Sequence, residues 1–300
     1  MKVISIAPSR ISLFGGGTDV DPYASTYGGI TLNMAINLRH KIVLNDKSIL
    51  AKFDNPDFIK SFTSLPVEHT YDNTIESGLG SSAGLAVALA GAVSRYEGKN
   101  LSRSQIAEQA WDIEVNKLGL YGGKQDQYCS AYGGVNVMEF NDLVKVTPIS
   151  PSFIEPLVPY MALFYLGFNR KAKKIQEAFK TLTPEQIKAL DTLKAITMGA
   201  IEALAEKDIS KLADLLKESW EFKKLSNKGV SNEEIDQIYV DGIANGGMAG
   251  KLLGSGGGGH ILFIVNPEIK KAFIKKEEEK GLKHIDFSID WNGLETRVIV

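Results

Sequence analysis

Hydrophobic and polar positions change their period along the chain, and the change predicts where strands give way to helices. Over the first seventy residues, short apolar and partly β-branched runs predict strands, with Pro8 between the first two. These runs cover residues 2–7, 10–14, 29–36 and 39–44. The polar stretch that follows them, up to Ser77, is predicted without a helix or a strand.

Two helices are predicted next. The first covers Ser81 to Tyr96, where small apolar residues recur at helical spacing without a proline. The second begins after Ser102 and ends near Gly119. Ser102 and Gln105 have the spacing of a capping box, in which each side chain bonds to the backbone N–H of the other residue. On this second helix Glu114 projects from an apolar stripe, so we expect its carboxylate to be buried and to need a polar partner.

The second half of the chain is predicted to be richer in helix. Prolines interrupt the pattern around residues 149 to 159, which predicts a boundary between domains 1–155 and 156–300. Further strands are predicted at 133–140, 161–166, 261–265, near Ile285 and near Arg297, further helices at 171–180, 184–207, 209–223, 231–245 and 267–280, and loops at 119–130 and 254–259. This order predicts a small α/β sandwich in the second half.

The composition excludes several classes of protein. The 300 residues are 44% hydrophobic and 23% charged with a formal net charge of −2, so no nucleic acid or membrane partner is expected. The single cysteine, Cys129, cannot form an internal disulfide, and four scattered histidines give no zinc pattern. With neither a signal peptide nor a spanning segment apparent, we expect a cytoplasmic protein.

The strongest local signal is the run SGLGSSAG at residues 77 to 84, directly before the first predicted helix. Its glycines permit a tight backbone, and the free N–H groups at a helix start form a positive concavity that can hold phosphate oxygens. The hydroxyls of Ser81 and Ser82 add ligands for a phosphate or a magnesium ion. The alternative is a loop whose glycines only cap the helix and turn the chain.

Two other nucleotide-binding motifs fail on their context. Gly78, Gly80 and Ala83 fit the dinucleotide fingerprint G-x-G-x-x-A, but no buried apolar strand precedes them. Gly250-Lys251 lacks the other residues of a P-loop.

A second glycine run, LGSGGGG at residues 253 to 259, contains five glycines. Because so many flexible residues cost backbone entropy, we expect this backbone to approach a ligand closely. An ordinary turn needs fewer glycines.

Glu114 and Asp126 form a third feature, separated by a helix end and the Gly122-Gly123 turn. Near a phosphate loop, one carboxylate can hold a metal ion while the other orients or deprotonates a hydroxyl nucleophile. Surface charge is the alternative explanation of such a pair.

Three motifs together resemble those of the GHMP small-molecule kinases, in order and at fitting spacing: PSRISLFGGGTD at 8–19, SGLGSSAG at 77–84 and GKLLGSGGGG at 250–259. Within that superfamily, GKQDQY at 123–128 and LFYLGFNRKA at 163–172 look most like the D-glycero-D-manno-heptose 7-phosphate kinase group. The resemblance implies an α+β fold with an N-terminal ribosomal-protein-like domain and a C-terminal ferredoxin-like domain. ATP and substrate would bind in the cleft between them.

The resemblance also implies roles for individual residues. Ser82 and Glu114 would hold Mg²⁺, while Asp126 and Arg10 would be the catalytic residues facing the acceptor hydroxyl. The ATP phosphates would be bound by Gly78, Leu79, Gly80, Ser81, Ser82 and Ala83, and the substrate by Gly17, Thr18, Asp19, Gly256 and Gly257.

Arg170 is our candidate for binding a phosphate carried by the substrate, because its planar fork can hold a phosphate bidentately at the head of a predicted Lys-rich helix. Lys124 adjoins Asp126 and is given no role. The motif departs from its usual pattern at Gly84, where alanine or serine is common, and at Leu166, where the heptose group tends to have threonine.

The expected reaction is therefore ATP-dependent phosphorylation of a hydroxyl on a sugar or sugar phosphate, foremost D-glycero-D-manno-heptose 7-phosphate to the 1,7-bisphosphate. A kinase for an unphosphorylated sugar such as galactose or fucose, and a non-catalytic regulator that binds sugar and nucleotide, stay open. An ATP-dependent decarboxylase does not fit GGGTD. The sequence leaves the oligomeric state, the anomer and the pathway undecided.

Overall fold

The computed structural model describes residues 1–45, 56–72, 78–168, 181–227 and 229–299. The strands are β1 (Lys2–Phe14), β2 (Gly29–Asn45), β3 (Val67–Tyr71), β4 (Val135–Phe140), β5 (Val144–Pro148), β6 (Met161–Tyr165), β7 (Gly247–Leu252), β8 (His260–Val265), β9 (Lys283–Ile285) and β10 (Glu295–Ile299). The helices are α1 (Tyr23–Tyr27), α2 (Pro56–Lys60), α3 (Ser81–Tyr96), α4 (Arg103–Asp112), α5 (Gln125–Tyr132), α6 (Pro151–Ile154), α7 (Pro184–Glu206), α8 (Ile209–Ser226), α9 (Glu233–Ala244) and α10 (Pro267–Glu279). A π-helical turn, Ile113–Lys117, continues α4, and a 3₁₀ turn covers Val158–Tyr160.

The strands form two antiparallel sheets. The first has the order β10-β1-β2-β4-β5, with β3 paired to β2, and the second has the order β7-β8-β6-β9. Helix α3 packs on β1 and β2, and its small buried residues let it lie close to the sheet. A hydrophobic core shared by strands of both sheets and by α7 and α8 holds the two halves together. The cleft described below opens between these halves.

The two longest strands each run through a predicted break. Pro8 has no N–H to donate, yet β1 continues past it because the register with β2 shifts between Pro8 and Ser9. Residues 37 and 38 of β2 lie opposite this shift, in the gap between the two strands predicted there. One bulge therefore lies at both predicted interruptions. The prediction that a strand ends at each of them was wrong, since β1 and β2 are each continuous.

Several other elements differ from the prediction. The segment 119–130 was predicted as a loop, but its second part begins helix α5, which carries Asp126. The polar stretch before residue 77 contains α2 and β3, and strands β5 and β7 were not predicted. Strand β7 was missed because glycine is rare in strands. Gly250 is needed here because it leaves room for the Phe263 ring, which a Cβ at this position would meet at 2.7 Å. The predicted helix 171–180 lies outside the described residues.

The chain passes from the first sheet to the second near residues 149–160 and later returns. Strand β10 pairs with β1, so residues 295–299 belong to the sheet of the first half. This return was not predicted, and the boundary after residue 155 stays a prediction. Among the helices that the structure describes, none is long and apolar enough to cross a membrane.

Candidate active site

A cavity of about 360 Å³ lies where the three motifs meet. Residues of all three motifs line this cavity: Arg10, Gly17 and Asp19 of the first, Gly80, Ser82 and Ala83 of the second, and Gly254 and Ser255 of the third. The other charged residues in its lining are Glu114, Asp126 and Lys223. The fold therefore brings both predicted carboxylates and two of the glycine runs into one cleft.

The second motif opens directly onto α3. Gly78 and Gly80 have φ angles of 76° and 65°, the left-handed region that glycine adopts without strain. Among the described residues no side chain caps the start of α3, whereas α4 and α7 both have capping boxes. The first-turn N–H groups of α3 are thus left for an anionic ligand at the positive end of the helix.

The two glycine loops lie against each other. A Cβ on Gly254 would meet the Cα of Gly78 at 2.6 Å, and a Cβ on Gly256 would meet the Cα of Val230 at 2.5 Å. At these positions the close approach is made to protein backbone, which corrects the expectation that a ligand alone explains the glycines. Gly256 and Gly257 do not line the cleft.

Ser82 and Glu114 are joined in the cleft. The Ser82 hydroxyl donates to Glu114 Oε1 at 2.6 Å, and Gln127 Nε2 donates to Oε2 at 2.7 Å. Burial raises the pKa of Glu114 to about 7, against the hydrogen bonds from Ser82 and Gln127, which lower it. Glu114 lies in the π-helical turn, which ends the regular α4 geometry at this point. Its predicted burial and need for a partner are confirmed.

The Ser82–Glu114 pair fits a magnesium ion. Both groups offer hard oxygen ligands beside the uncapped start of α3. Magnesium in kinases takes one or two protein ligands and completes its shell with phosphate oxygens and water. Within the described ranges no group of three His, Cys, Asp or Glu side chains is placed to hold a metal.

Arg10 clamps Asp126. Its Nε donates to Asp126 Oδ1 at 2.6 Å, its Nη2 to Oδ2 at 2.5 Å, and its Nη1 to the Gly78 carbonyl at 2.7 Å. The guanidinium is buried, while the Asp126 side chain keeps 25% of its exposure and faces the cleft. Arg10 therefore fixes the carboxylate's orientation and ties it to the second motif.

A polar network surrounds Asp19 on the Asp126 side of the cleft. The Asp19 carboxylate accepts from Gln125 Nε2 at 2.9 Å and from the Gly17 N–H at 3.1 Å, and Ser12 donates to Gln125 Oε1. Burial, and secondly the charge of Asp126, raise the pKa of Asp19 to about 6. This side offers hydrogen-bonding groups suited to a polyol.

Comparison with known proteins adds independent findings. The family signature described as GHMP kinases N terminal domain matches residues 49–134, and that described as GHMP kinases C terminal matches residues 200–279. D-glycero-alpha-D-manno-heptose 7-phosphate kinase of Campylobacter jejuni is 34% identical over 99% of both chains. This chain belongs to the GHMP kinase family.

Solved structures agree with this assignment. A D-glycero-D-manno-heptose 1-phosphate kinase from Bacteroides thetaiotaomicron is 28% identical over 99% of both chains, with a TM-score of 0.78. A putative sugar kinase from Campylobacter jejuni is 29% identical, covering 99% of this chain and 98% of its own, with a TM-score of 0.77. The predicted two-domain GHMP kinase fold is confirmed, and family membership makes the chain a kinase with ATP as its phosphoryl donor.

Several predicted site residues of this GHMP kinase lie away from the cleft. Thr18 is fully buried, and its hydroxyl donates to the carbonyls of Gly15 and Ile30. Its side chain therefore contacts protein backbone and does not face the cleft. Leu79 is buried as well. The Ser81 hydroxyl lies 3.0 Å from His40 Nε2, on the sheet side of α3. Arg170 falls outside the described residues.

The structure explains the departure at Gly84 and gives the position of Lys124, to which the sequence assigned no role. A Cβ on Gly84 would meet His40 Cδ2 at 3.0 Å and the Pro8 carbonyl at 3.1 Å, so the histidine occupies the space of the usual methyl group. Lys124 Nζ donates to Glu108 Oε2 at 2.7 Å and lies 4.6 Å from the Trp111 ring centroid. Lys124 therefore anchors the start of α5 instead of facing the cleft.

Sequence reasoning assigned no role to three residues that line the cleft. Two of them, Gln125 and Gln127, flank Asp126 on α5 and bind Asp19 and Glu114 respectively. Both lie in the GKQDQY stretch that carries part of the family resemblance, which was the available signal. Lys223 had none, because it is one of many lysines in the second half of the chain.

The Gly122-Gly123 turn provides a test of whether Asp19 binds the acceptor. A Cβ on Gly123 would meet Asp19 Oδ2 at 2.0 Å, whereas a Cβ on Gly122 would meet nothing within 4 Å. Gly123→Ala should displace Asp19 and raise the acceptor KM at least about tenfold, since hydrogen bonds to a charged group are lost. Gly122→Ala is the matched control, and steady-state kinetics measure both. Equal effects would show that Asp19 does not bind the acceptor.

Proposed function

We propose that this kinase transfers the γ-phosphoryl group of ATP to a hydroxyl of a carbohydrate, foremost the anomeric hydroxyl of D-glycero-D-manno-heptose 7-phosphate. The observation that carries the proposal is the pairing of two carboxylates with different partners in one cleft. Glu114 binds Ser82 at the start of α3, and Asp126 is clamped by Arg10. The oxygen atoms of Ser82 and Glu114 are suited to bind a metal ion, and the Asp126 carboxylate is suited to accept a hydrogen bond from a hydroxyl group.

The chain's own groups divide the work. The first-turn N–H groups of α3 bind phosphate oxygens, and the glycine loops exclude bulky side chains from the phosphates. Asp126 accepts the hydrogen bond of the acceptor hydroxyl and takes its proton as the oxygen attacks. Ser82 and Glu114 would hold Mg²⁺, which would supply positive charge to neutralise the phosphates of ATP. The loose transition state of phosphoryl transfer makes this positioning the main contribution.

Asp19, Gln125 and Ser12 would hold the hydroxyls of the acceptor. Their side chains form one network that lines the cleft on the Asp126 side. A network of donors and acceptors rejects analogues that lack a hydroxyl, because its buried groups would be left unpaired. This supports a carbohydrate acceptor.

The names of two relatives support a heptose phosphate. One is named for heptose 7-phosphate and the other for heptose 1-phosphate. The product of the proposed reaction on heptose 7-phosphate is the 1,7-bisphosphate. Arg170 is proposed to bind the phosphate that the acceptor already carries.

One observation favours an unphosphorylated sugar as a second candidate. Of the cleft-lining residues that the structure describes, only Arg10 and Lys223 are cationic. Each Arg10 nitrogen already donates to Asp126 or Gly78. A phosphorylated acceptor would need further positive charge, since like charges brought together are costly unless neutralised.

ADP release separates these candidates when it is measured over heptose 7-phosphate, the free heptose, galactose and fucose. We expect kcat/KM for heptose 7-phosphate to exceed that for the free heptose at least about a hundredfold, the value of a bidentate charged contact. Arg170→Ala should lower only the former. Equal use of the free sugar would assign the enzyme to the simple sugar kinases. No turnover with any sugar would favour a binding regulator.

A further inference from the structure

Helix α8 places a lysine inside the cleft. Lys223 is 8% exposed, and its Nζ donates to the carbonyls of Leu252 at 3.1 Å and Gly254 at 2.7 Å. Both carbonyls belong to the third motif or the strand that leads into it. The ammonium group has three N–H donors, so one is left beyond these two contacts.

The position of Lys223 is unlike that of the other inward lysines. Lys251 is also buried, but its Nζ donates to the Leu13 carbonyl and it does not line the cleft. Lys124 is paired with Glu108. Arg10 and Lys223 are the cations among the described residues that line the cleft, and both keep N–H groups beyond the contacts given above. Arg10 is already paired with the Asp126 carboxylate, whereas Lys223 contacts only carbonyl groups.

Lys223 has no carboxylate in direct contact among the described residues, although the nearby charges of Asp126 and Asp19 raise its pKa. Both of its hydrogen-bond acceptors are neutral carbonyls, and a buried ammonium without a paired anion is unfavourable. The cleft wall near it carries the uncapped start of α3, where an anion is expected. An anionic ligand in this space would supply the missing partner.

We infer that Lys223 binds the γ-phosphoryl group of ATP and follows it during transfer to the acceptor. The inference rests on the proposed function for the direction of transfer and names a residue that contributes to it. By donating to the carbonyls of Leu252 and Gly254, Lys223 also couples the position of the third motif to the phosphoryl group. Burial, and secondly the charge of Arg10, lower the pKa of Lys223 to about 7, against the charges of Asp126 and Asp19, which raise it.

The chemical step balances without another reagent. The acceptor oxygen forms a bond to the γ-phosphorus while the bond from that phosphorus to the β,γ-bridging oxygen breaks, and its electron pair leaves on ADP. The hydroxyl proton passes to Asp126. Lys223 donates a hydrogen bond to an equatorial oxygen of the moving group, where negative charge is spread in the transition state.

Nucleotide affinity tests the inference without the acceptor. Dissociation constants for ADP and for the non-hydrolysable ATP analogue AMP-PNP, both with magnesium, are measured by calorimetry for wild type and Lys223→Met. Lys251→Met is the control for loss of a buried lysine outside the cleft. We expect Lys223→Met to weaken AMP-PNP by about tenfold to a hundredfold and ADP little, as for a lost charged hydrogen bond.

The other outcomes overturn the inference in distinct ways. Equal weakening of both nucleotides would mean that Lys223 only supports the backbone of the third motif. Unchanged nucleotide affinity with a raised acceptor KM would place Lys223 on the acceptor. A wild type that binds both nucleotides equally would remove any γ-phosphoryl contact. The nucleotide dissociation constants do not depend on which sugar is used, so failure of the sugar assignment remains separately visible.

Discussion

Replacement of Asp126 by asparagine is expected to lower kcat by roughly 10²- to 10⁴-fold while the KM for ATP stays nearly unchanged. Asparagine keeps the shape of the side chain but cannot take the proton of the acceptor hydroxyl. It also leaves one Arg10 nitrogen facing an amide group instead of a carboxylate oxygen, because the wild-type contact is bidentate. Steady-state kinetics over both substrates measure the effect.

The control must separate lost chemistry from a broken ion pair. Asp290→Asn breaks another arginine–aspartate pair, with Arg39, in which the aspartate is buried and lies outside the cleft. Both variants should melt at lower temperature than wild type, but Asp290→Asn should keep kcat. If Asp126→Asn lost no more activity than this control, Asp126 would be a structural partner of Arg10 and not a catalytic group.

The second large effect is expected at the metal pair. Ser82→Ala removes one of the two oxygen groups at the start of α3 and should lower turnover on the order of tenfold to a thousandfold, with a higher magnesium requirement. Ser81→Ala is a matched control on the same helix turn, because its hydroxyl contacts His40. Its effect should be much smaller. An unchanged magnesium dependence in Ser82→Ala would remove Ser82 from the metal site.

Magnesium dependence should also follow pH. The pKa of Glu114 is raised to about 7, so the proton competes with the metal below that pH. The magnesium concentration for half-maximal activity should fall as pH rises toward 7 and then level off. Glu114→Gln should raise the magnesium concentration needed for half-maximal activity. It should also remove the part of the pH dependence that arises from ionisation of the Glu114 carboxyl group. If Glu114→Gln and Asp126→Asn shared one phenotype, the proposed division between the carboxylates would be wrong.

Local sequence determined much of this protein. Periodicity predicted α3 and the extents of α7 and α9 to within a few residues, and the cap at Ser102 predicted the start of α4, because these signals act within one or two helical turns. Glycines before a helix indicated the proposed phosphate loop for the same reason. The apolar stripe around Glu114 likewise indicated a buried carboxylate that needs a partner.

Tertiary structure decided which of these features meet. Arg10 and Asp126 are 116 residues apart, and nothing local to either predicts their bidentate contact. The same holds for Lys223, which becomes part of the site only because α8 packs beside β7. It holds for β1, which runs through Pro8 because a neighbouring strand absorbs the shift. Periodicity reports which face of an element is buried, whereas the partner on that face is set by packing between distant segments, and that packing builds the cleft.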